Sequence, residues 1–390
     1  MNEIDNRKYW LVAIFAFLGL GGAAIQARGA LIPTFEGYFE VSKGLLGLVT
    51  PVGTVGFVTA MVWIGPASGR IDLRRFLLAG SVLMTIALVL IGIAPTFFVL
   101  LVMIGVRMFG FGIFRALDRP TVSHLFPESR ARLFTLEEMA WAVGATAGPL
   151  VVTAILLQFS WRLTYLVLAA LAVPIVALIW RLDPPPGSVH EESFGFEDVR
   201  SVLGHPSVYG MVFALILSGG IESAFFTWLP SYAQETFSGG VAGVTLSIYL
   251  VAYIPGRLIF SRLSERFRFT DLLIGVAIVL TVLLYVTFVL VDGPALLVLI
   301  FVLGLLVSGL YPTLISLGIE SNPAYTGPVN AIANVATQAG FFTVPAAIGF
   351  LADAYTIQQA MLVQIVLAGV LAVVLLGLRL GPVEDASTTA

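Results

Sequence analysis

Twelve long apolar runs, separated by short polar breaks, leave this chain few ways to fold. They lie at about 9–33, 45–66, 76–95, 97–120, 136–158, 162–182, 207–234, 241–262, 270–291, 294–318, 326–352 and 357–380. Each is close to the roughly 20 residues a helix needs to cross a hydrocarbon core. A helix also satisfies its own backbone hydrogen bonds, which lipid cannot do for it. The pattern predicts an all-α membrane protein of twelve transmembrane helices in two six-helix, pseudo-symmetric bundles. Hydrophobic residues make up 58% of the 390 and charged residues 11%. A soluble domain carries about 25% charge, so an ordinary soluble enzyme is excluded and no enzymatic activity is expected. The first run begins at Tyr9 and outlasts a signal-peptide core, so it reads as a spanning helix. There is no cysteine, which removes disulfides, thiolate metal sites and thiol nucleophiles. His124, His190 and His205 fall in or near polar links, so no buried metal cluster is expected. The phosphate-cradling GxxxxGK[ST] loop is absent, which disfavours ATP-driven pumping. No cofactor and no nucleic-acid partner is implied.

Cation placement sets the orientation. With the N-terminus inside, fourteen Lys and Arg fall in cytoplasmic segments, two (Lys43 and Arg162) outside, and four within spans. That asymmetry puts both termini in the cytoplasm of a multi-pass cell-membrane protein. The longest link, with Pro184, Pro185 and Pro186 and the acidic stretch from His190 to Asp198, divides the chain. The expected units are a bundle over 1–183, a cytoplasmic linker over 184–206 and a bundle over 207–390.

The halves repeat. Gly21, Gly22 and Pro33 match Gly219, Gly220 and Pro230 at an offset near 197, and Arg70 matches Arg266 at 196. Gly144 and Pro149 match Gly340 and Pro345, again at 196. Six spans per half is an even number, so the halves share one membrane orientation. Such parallel repeats bind substrate between the halves near mid-bilayer.

Polar residues inside the spans are the functional candidates, because Arg or Asp at a helix centre costs about 2.5–3.5 kcal/mol on insertion scales. Span 1 carries Gln26 and Arg28. Span 4 carries Arg107, Phe111, Arg115 and Asp118 on one face, by spacings of four, four and three. Arg115 and Asp118 can carry coupling chemistry or simply pair with each other. Glu222 in span 7 is followed by Phe225, Phe226 and Trp228. A carboxyl in low dielectric can take up and release a proton, and can also accept solute hydroxyls. The alternative for Glu222 is an ion pair with Arg28 across the halves. Tyr249, Tyr253 and Arg257 form a stripe on span 8, and Asn330, Asn334 and Gln338 another on span 11, each at spacings of four. Polar stripes on apolar helices face water, a ligand or each other, and amides suit a neutral polyol. Trp141 in span 5 is a candidate stacking surface. Glu137 and Glu138 read as acids near a helix N-terminus.

Several motifs resemble the major facilitator superfamily over nearly the whole chain. The loop GPASGRIDLRR, Gly65 to Arg75, is similar to the family's Gly-rich basic loop, with Gly69 where an acid is usual and Asp72 where a glycine is usual. Gly105, Arg107, Gly110 and Gly112 resemble its span 4 motif, and Gly144, Gly148 and Pro149 its span 5 motif. Trp161-Arg162 is a further mark. ALDRPTV, GGIESAFFTWLPSY and GLYPTLISL are similar to the fucose permease-like sugar/proton symporters. That resemblance implies a proton-coupling acid at Asp118, and it puts Trp141 where the group carries a sugar-holding polar residue.

Together these readings predict a monomeric secondary transporter that moves a small polar solute, a sugar, by proton-coupled alternating access in the lipid bilayer. Substrate contacts are expected from Gln26, Trp141, Glu222, Trp228, Tyr249, Tyr253, Asn330, Asn334 and Gln338, and proton coupling from Asp118 and Glu222. The rivals are an organic-anion carrier using Arg28, Arg107, Arg115 and Arg257, and a transporter-like receptor that binds solute without moving it.

Overall fold

The computed structural model describes residues 3–64, 71–183, 206–237, 239–321 and 326–380. Among them are twelve helices long and apolar enough to span a membrane. These are α1 (Asn6–Phe39), α2 (Lys43–Ile64), α3 (Leu73–Gly92), α4 (Phe97–Leu125), α5 (Arg132–Leu156) and α6 (Arg162–Arg181). The second six are α7 (Val208–Gln234), α8 (Gly240–Ser264), α9 (Phe269–Leu290), α10 (Ala295–Glu320), α11 (Val329–Ala354) and α12 (Ile357–Leu380). The chain is a multi-pass membrane protein. Most of the linker and part of the Gly-rich loop lie outside the described residues.

Local chemistry explains where the helices start and where they break. Ser42, Asp72, Thr96 and Thr356 cap α2, α3, α4 and α12, each side chain accepting from a backbone amide three residues on. Turns interrupt α2 at Leu48, α8 at Ala252 and α10 at Gly309. Each interruption lies three residues before a proline, namely Pro51, Pro255 and Pro312. The proline ring clashes with the carbonyl one turn back and offers it no N–H, so the helix gives way there.

The packing repeats as the sequence does. Within the first six helices α1 packs on α5, α2 on α4, and α3 on α4 and α6. Their counterparts α7 on α11, α8 on α10, and α9 on α10 and α12 do the same. The halves meet along α1 with α7, α2 with α11, and α5 with α8. The last two lines exchange under a shift of six helices, which is the signature of a two-fold relation between the halves. Glycine permits the closest crossings. A Cβ on Gly144 of α5 would collide with the backbone of Gly19 in α1, and one on Gly340 of α11 would collide with the backbone of α7 at Ile216 and Gly220.

Contacts between the halves gather on the face away from the termini. The Gly44 amide donates to Asp353 Oδ2 at 2.9 Å, the Thr50 and Thr227 hydroxyls are 2.8 Å apart, and Ser247 Oγ donates to the Thr146 carbonyl at 2.9 Å. Each of these lies in the half of its helix nearer the face away from the termini. Gly29 of α1 lets the Phe226 carbonyl of α7 approach its Cα on the same side.

Candidate functional site

The second half contributes a hydroxyl–carboxyl cluster at mid-helix. Tyr253 donates to Glu222 Oε1 at 2.8 Å, and the Tyr249 hydroxyl lies 3.2 Å from that of Tyr253. Phe225 stacks on Tyr249 with centroids 4.8 Å apart, and Phe226 meets the same ring edge-on. Both tyrosines are buried, whereas Glu222 keeps partial exposure. Arg257 lies one turn further along α8, over the Tyr253 ring at 5.9 Å. Its buried Nε has no hydrogen-bond partner, and it is within electrostatic reach of both Glu222 and Glu138. The spacing of four does place these three α8 side chains on one face.

The α11 amides join α10. Asn334 donates to the Asn330 carbonyl at 2.8 Å, and its Oδ1 accepts from the Tyr311 hydroxyl at 3.0 Å. Gln338 is half-buried one turn on. Tyr311 acts electrostatically with Glu138, Arg119, Glu222 and Arg115, so it stands where charges of both halves converge. The sequence reading passed over Tyr311 because a lone tyrosine in an apolar run carries no periodic signal. The proline beside it, Pro312, which breaks α10, was the available clue.

The first half contributes an ion network between α4 and α5. Arg115 holds Asp118 Oδ2 at 2.7 Å and Glu138 Oε1 at 3.1 Å, and Arg119 holds Glu138 Oε1 at 2.9 Å. The Arg119 amide also donates to Asp118 Oδ1 at 2.7 Å. The local pairing of Arg115 with Asp118 is therefore made. Arg119 and Glu138 are additions that sequence reasoning missed. The helix that carries Glu137 and Glu138 begins at Arg130, so neither acid sits in its first turn. This corrects their reading as dipole-favoured terminal acids. Glu138 is a network member, and Glu137 is fully buried with both oxygens lacking a hydrogen-bond partner. It is electrostatically coupled to Asp118 and Arg115.

Other expected residues fall elsewhere. Trp228 is fully buried and donates its indole N–H to the Pro345 carbonyl at 2.9 Å. That bond commits it to the α7–α11 crossing. Gln26 is fully buried with both amide atoms unpartnered, and Trp141 is half-buried one turn beyond Glu138. Arg28 does not pair with Glu222. It lies instead within electrostatic reach of Arg107 and Tyr165, inside the first six helices.

The resulting assembly carries acids Asp118, Glu138 and Glu222, bases Arg115, Arg119 and Arg257, and hydroxyls and amides from Tyr249, Tyr253, Tyr311 and Asn334. It presents hydrogen-bond donors and acceptors of the kind that meet a polar solute. This geometry sits on a sequence that matches the profile of the Major Facilitator Superfamily over residues 9–324 and 236–390. The chain belongs to the Major Facilitator Superfamily. It is a transporter of that superfamily and not an enzyme. A TsgA homolog of Yersinia pestis (strain Pestoides F) is 26% identical over 330 residues, covering 82% of this chain and 81% of that protein. Among solved structures, a bacterial homolog of the human lysosomal transporter Spinster, inward-facing and unoccupied, superposes with a TM-score of 0.82 at 14% identity, covering 96% of this chain and 97% of the other. A D-xylose-proton symporter gives 0.76 at 15% identity, covering 94% and 96%. The transporter FucP in its outward conformation gives 0.64 at 20%, covering 94% and 97%. These likenesses establish the shared fold.

Proposed function

We propose that this transporter moves a small polar solute, a sugar or sugar-like polyol, by proton-coupled alternating access. The observation that carries the proposal is the state of Glu222. Its carboxylate is held by the Tyr253 hydroxyl rather than, among the described residues, by a direct ion pair, and it lies within electrostatic reach of Tyr249 and Tyr311. A carboxyl so placed can exchange a proton when solute hydroxyls replace that of Tyr253. Asp118, fully buried and clamped by Arg115, is the second coupling acid, linked through Arg115 to the less buried Glu138. Glu222, Tyr249, Tyr253, Asn330, Asn334, Gln338, Gln26 and Trp141 contact or back the solute, and Trp228 holds the bundle.

The proposed units are the two six-helix bundles, 1–183 and 207–390, joined by a cytoplasmic linker. The proposed orientation places both termini in the cytoplasm of a monomer in the cell membrane. In that orientation the cross-half contacts lie on the external face, and the state is inward-facing. The greater likeness to an inward-facing solved transporter than to outward FucP supports this. The solute class is supported by neighbours named for xylose and fucose transport with protons.

A second reading has its own observation. Arg115, Arg119 and Arg257 all act electrostatically on Glu138, and Arg257 Nε lacks a hydrogen-bond partner among the described residues, which suits an organic carboxylate. Uptake into proteoliposomes, tested with sugars and organic acids with and without an inward proton gradient, decides. Gradient-driven sugar uptake supports the first reading, and driven uptake of acids alone supports the second. Binding without flux would indicate a receptor.

A further inference from the structure

Deep in the first six helices, two arginines stand without an acid among the described residues. Arg107 of α4 is 0% exposed, and its Nε, Nη1 and Nη2 all lack hydrogen-bond partners among the described residues. Arg28 of α1 is 4% exposed, with Nε also unpartnered. Tyr165 of α6 is 0% exposed, and its hydroxyl has no partner either. The three lie within electrostatic reach of one another, and among the described residues no carboxylate acts on either arginine. Guanidinium keeps its charge in proteins and offers five donors in a fixed fork. Two such charges side by side in low dielectric repel, and a buried charge persists only when it is paired. Water would meet the donors but would leave the charge.

We propose that the N-terminal bundle holds one small inorganic anion, of the size of chloride, between Arg28, Arg107 and Tyr165. The anion accepts from both guanidinium groups and from the phenol hydroxyl, and it neutralises part of their shared charge. Its small size follows from the burial of all three side chains, Arg107 and Tyr165 at 0% exposure and Arg28 at 4%. This anion is a resident of the bundle, not the solute, and the inference does not depend on which solute is carried.

The test uses the purified full-length protein in detergent, exchanged into sodium gluconate. Chloride or bromide then replaces gluconate at constant ionic strength. Melting is followed in parallel with binding of radioactive chloride. The expected result is a saturable rise in melting midpoint and about one chloride bound per chain, displaced by bromide but not by gluconate. Arg107→Gln should weaken binding at least tenfold and Tyr165→Phe several-fold, whereas the exposed Arg379→Gln should leave it unchanged. Should Arg107→Gln fail to fold, Tyr165→Phe and the wild-type binding isotherm still decide. Absence of saturable chloride binding in the wild type, or unchanged affinity in Tyr165→Phe and in a folded Arg107→Gln, overturns the proposal. Because binding and melting are read without transport, failure here is distinct from failure of the sugar assignment.

Discussion

The backbone amide of Gly44, at the start of α2, donates to the Asp353 carboxylate near the end of α11 across the line between the two halves. An acid from one bundle thus sits at the positive end of a helix in the other, where a carboxylate stabilises by about 0.3–1 kcal/mol. In the proposed alternating-access cycle this contact breaks when the far face opens. Asp353→Ala should shift the equilibrium toward opening of that face by up to about fivefold, the factor that 1 kcal/mol supplies. Since the chain has no cysteine, spin labels on Leu45→Cys and Tyr355→Cys can report it. A longer-distance population that grows in Asp353→Ala is the expected outcome.

Glu222 and Tyr253 should separate coupling from binding. Glu222→Gln keeps a hydrogen-bonding group but cannot carry a proton. An inward proton gradient should then no longer drive uptake, while solute exchange across equal concentrations continues. Tyr253→Phe removes one hydrogen bond, worth about 1 kcal/mol, and should raise the apparent KM roughly fivefold with the gradient response retained. Driven uptake that survives in Glu222→Gln would move proton carriage to another group.

Arg115 bridges a fully buried acid and a half-exposed one. Removing it strands Asp118 in low dielectric, and breaking a buried pair costs about 3 kcal/mol or more. Arg115→Ala should therefore melt well below the wild type. Restoring neutrality in the double variant Arg115→Ala with Asp118→Asn should recover part of that loss. A double variant no more stable than the single would mean that Asp118 is not the stranded partner.

Gly144→Ala places a methyl group against the Gly19 backbone, whereas a Cβ on Gly275 of α9 meets nothing within 4 Å. Overpacking costs about 1–3 kcal/mol or more. Gly144→Ala should lower the melting midpoint and broaden the size-exclusion peak in detergent. Gly275→Ala should behave like the wild type.

The fold was legible because lipid imposes a length and a composition on every helix, and no tertiary contact is needed to read either. The 196-residue offset linking Gly144 with Gly340 reappears as two equivalent backbone crossings. The stripe Tyr249, Tyr253, Arg257 was legible for a similar reason, since a spacing of four fixes a common face. Partners across helices were not legible. The clamp of Arg119 on Glu138 joins α4 to α5, and the bond from Tyr311 to Asn334 joins α10 to α11. Neither has a sequence period, and both depend on how helices are turned against each other. The bond of Trp228, expected among the solute contacts, to the Pro345 carbonyl was likewise not legible, since it joins α7 to α11.

The glycine crossings of α1 on α5 and of α7 on α11 leave no slack, so neither helix of a pair can slide past its companion without collision. Each pair is obliged to swing as a single lever. Whatever shuts around a captured solute has to come from an arm outside these welds. The portion of α10 beyond its interruption at Gly309, with Tyr311 at its base, belongs to neither weld.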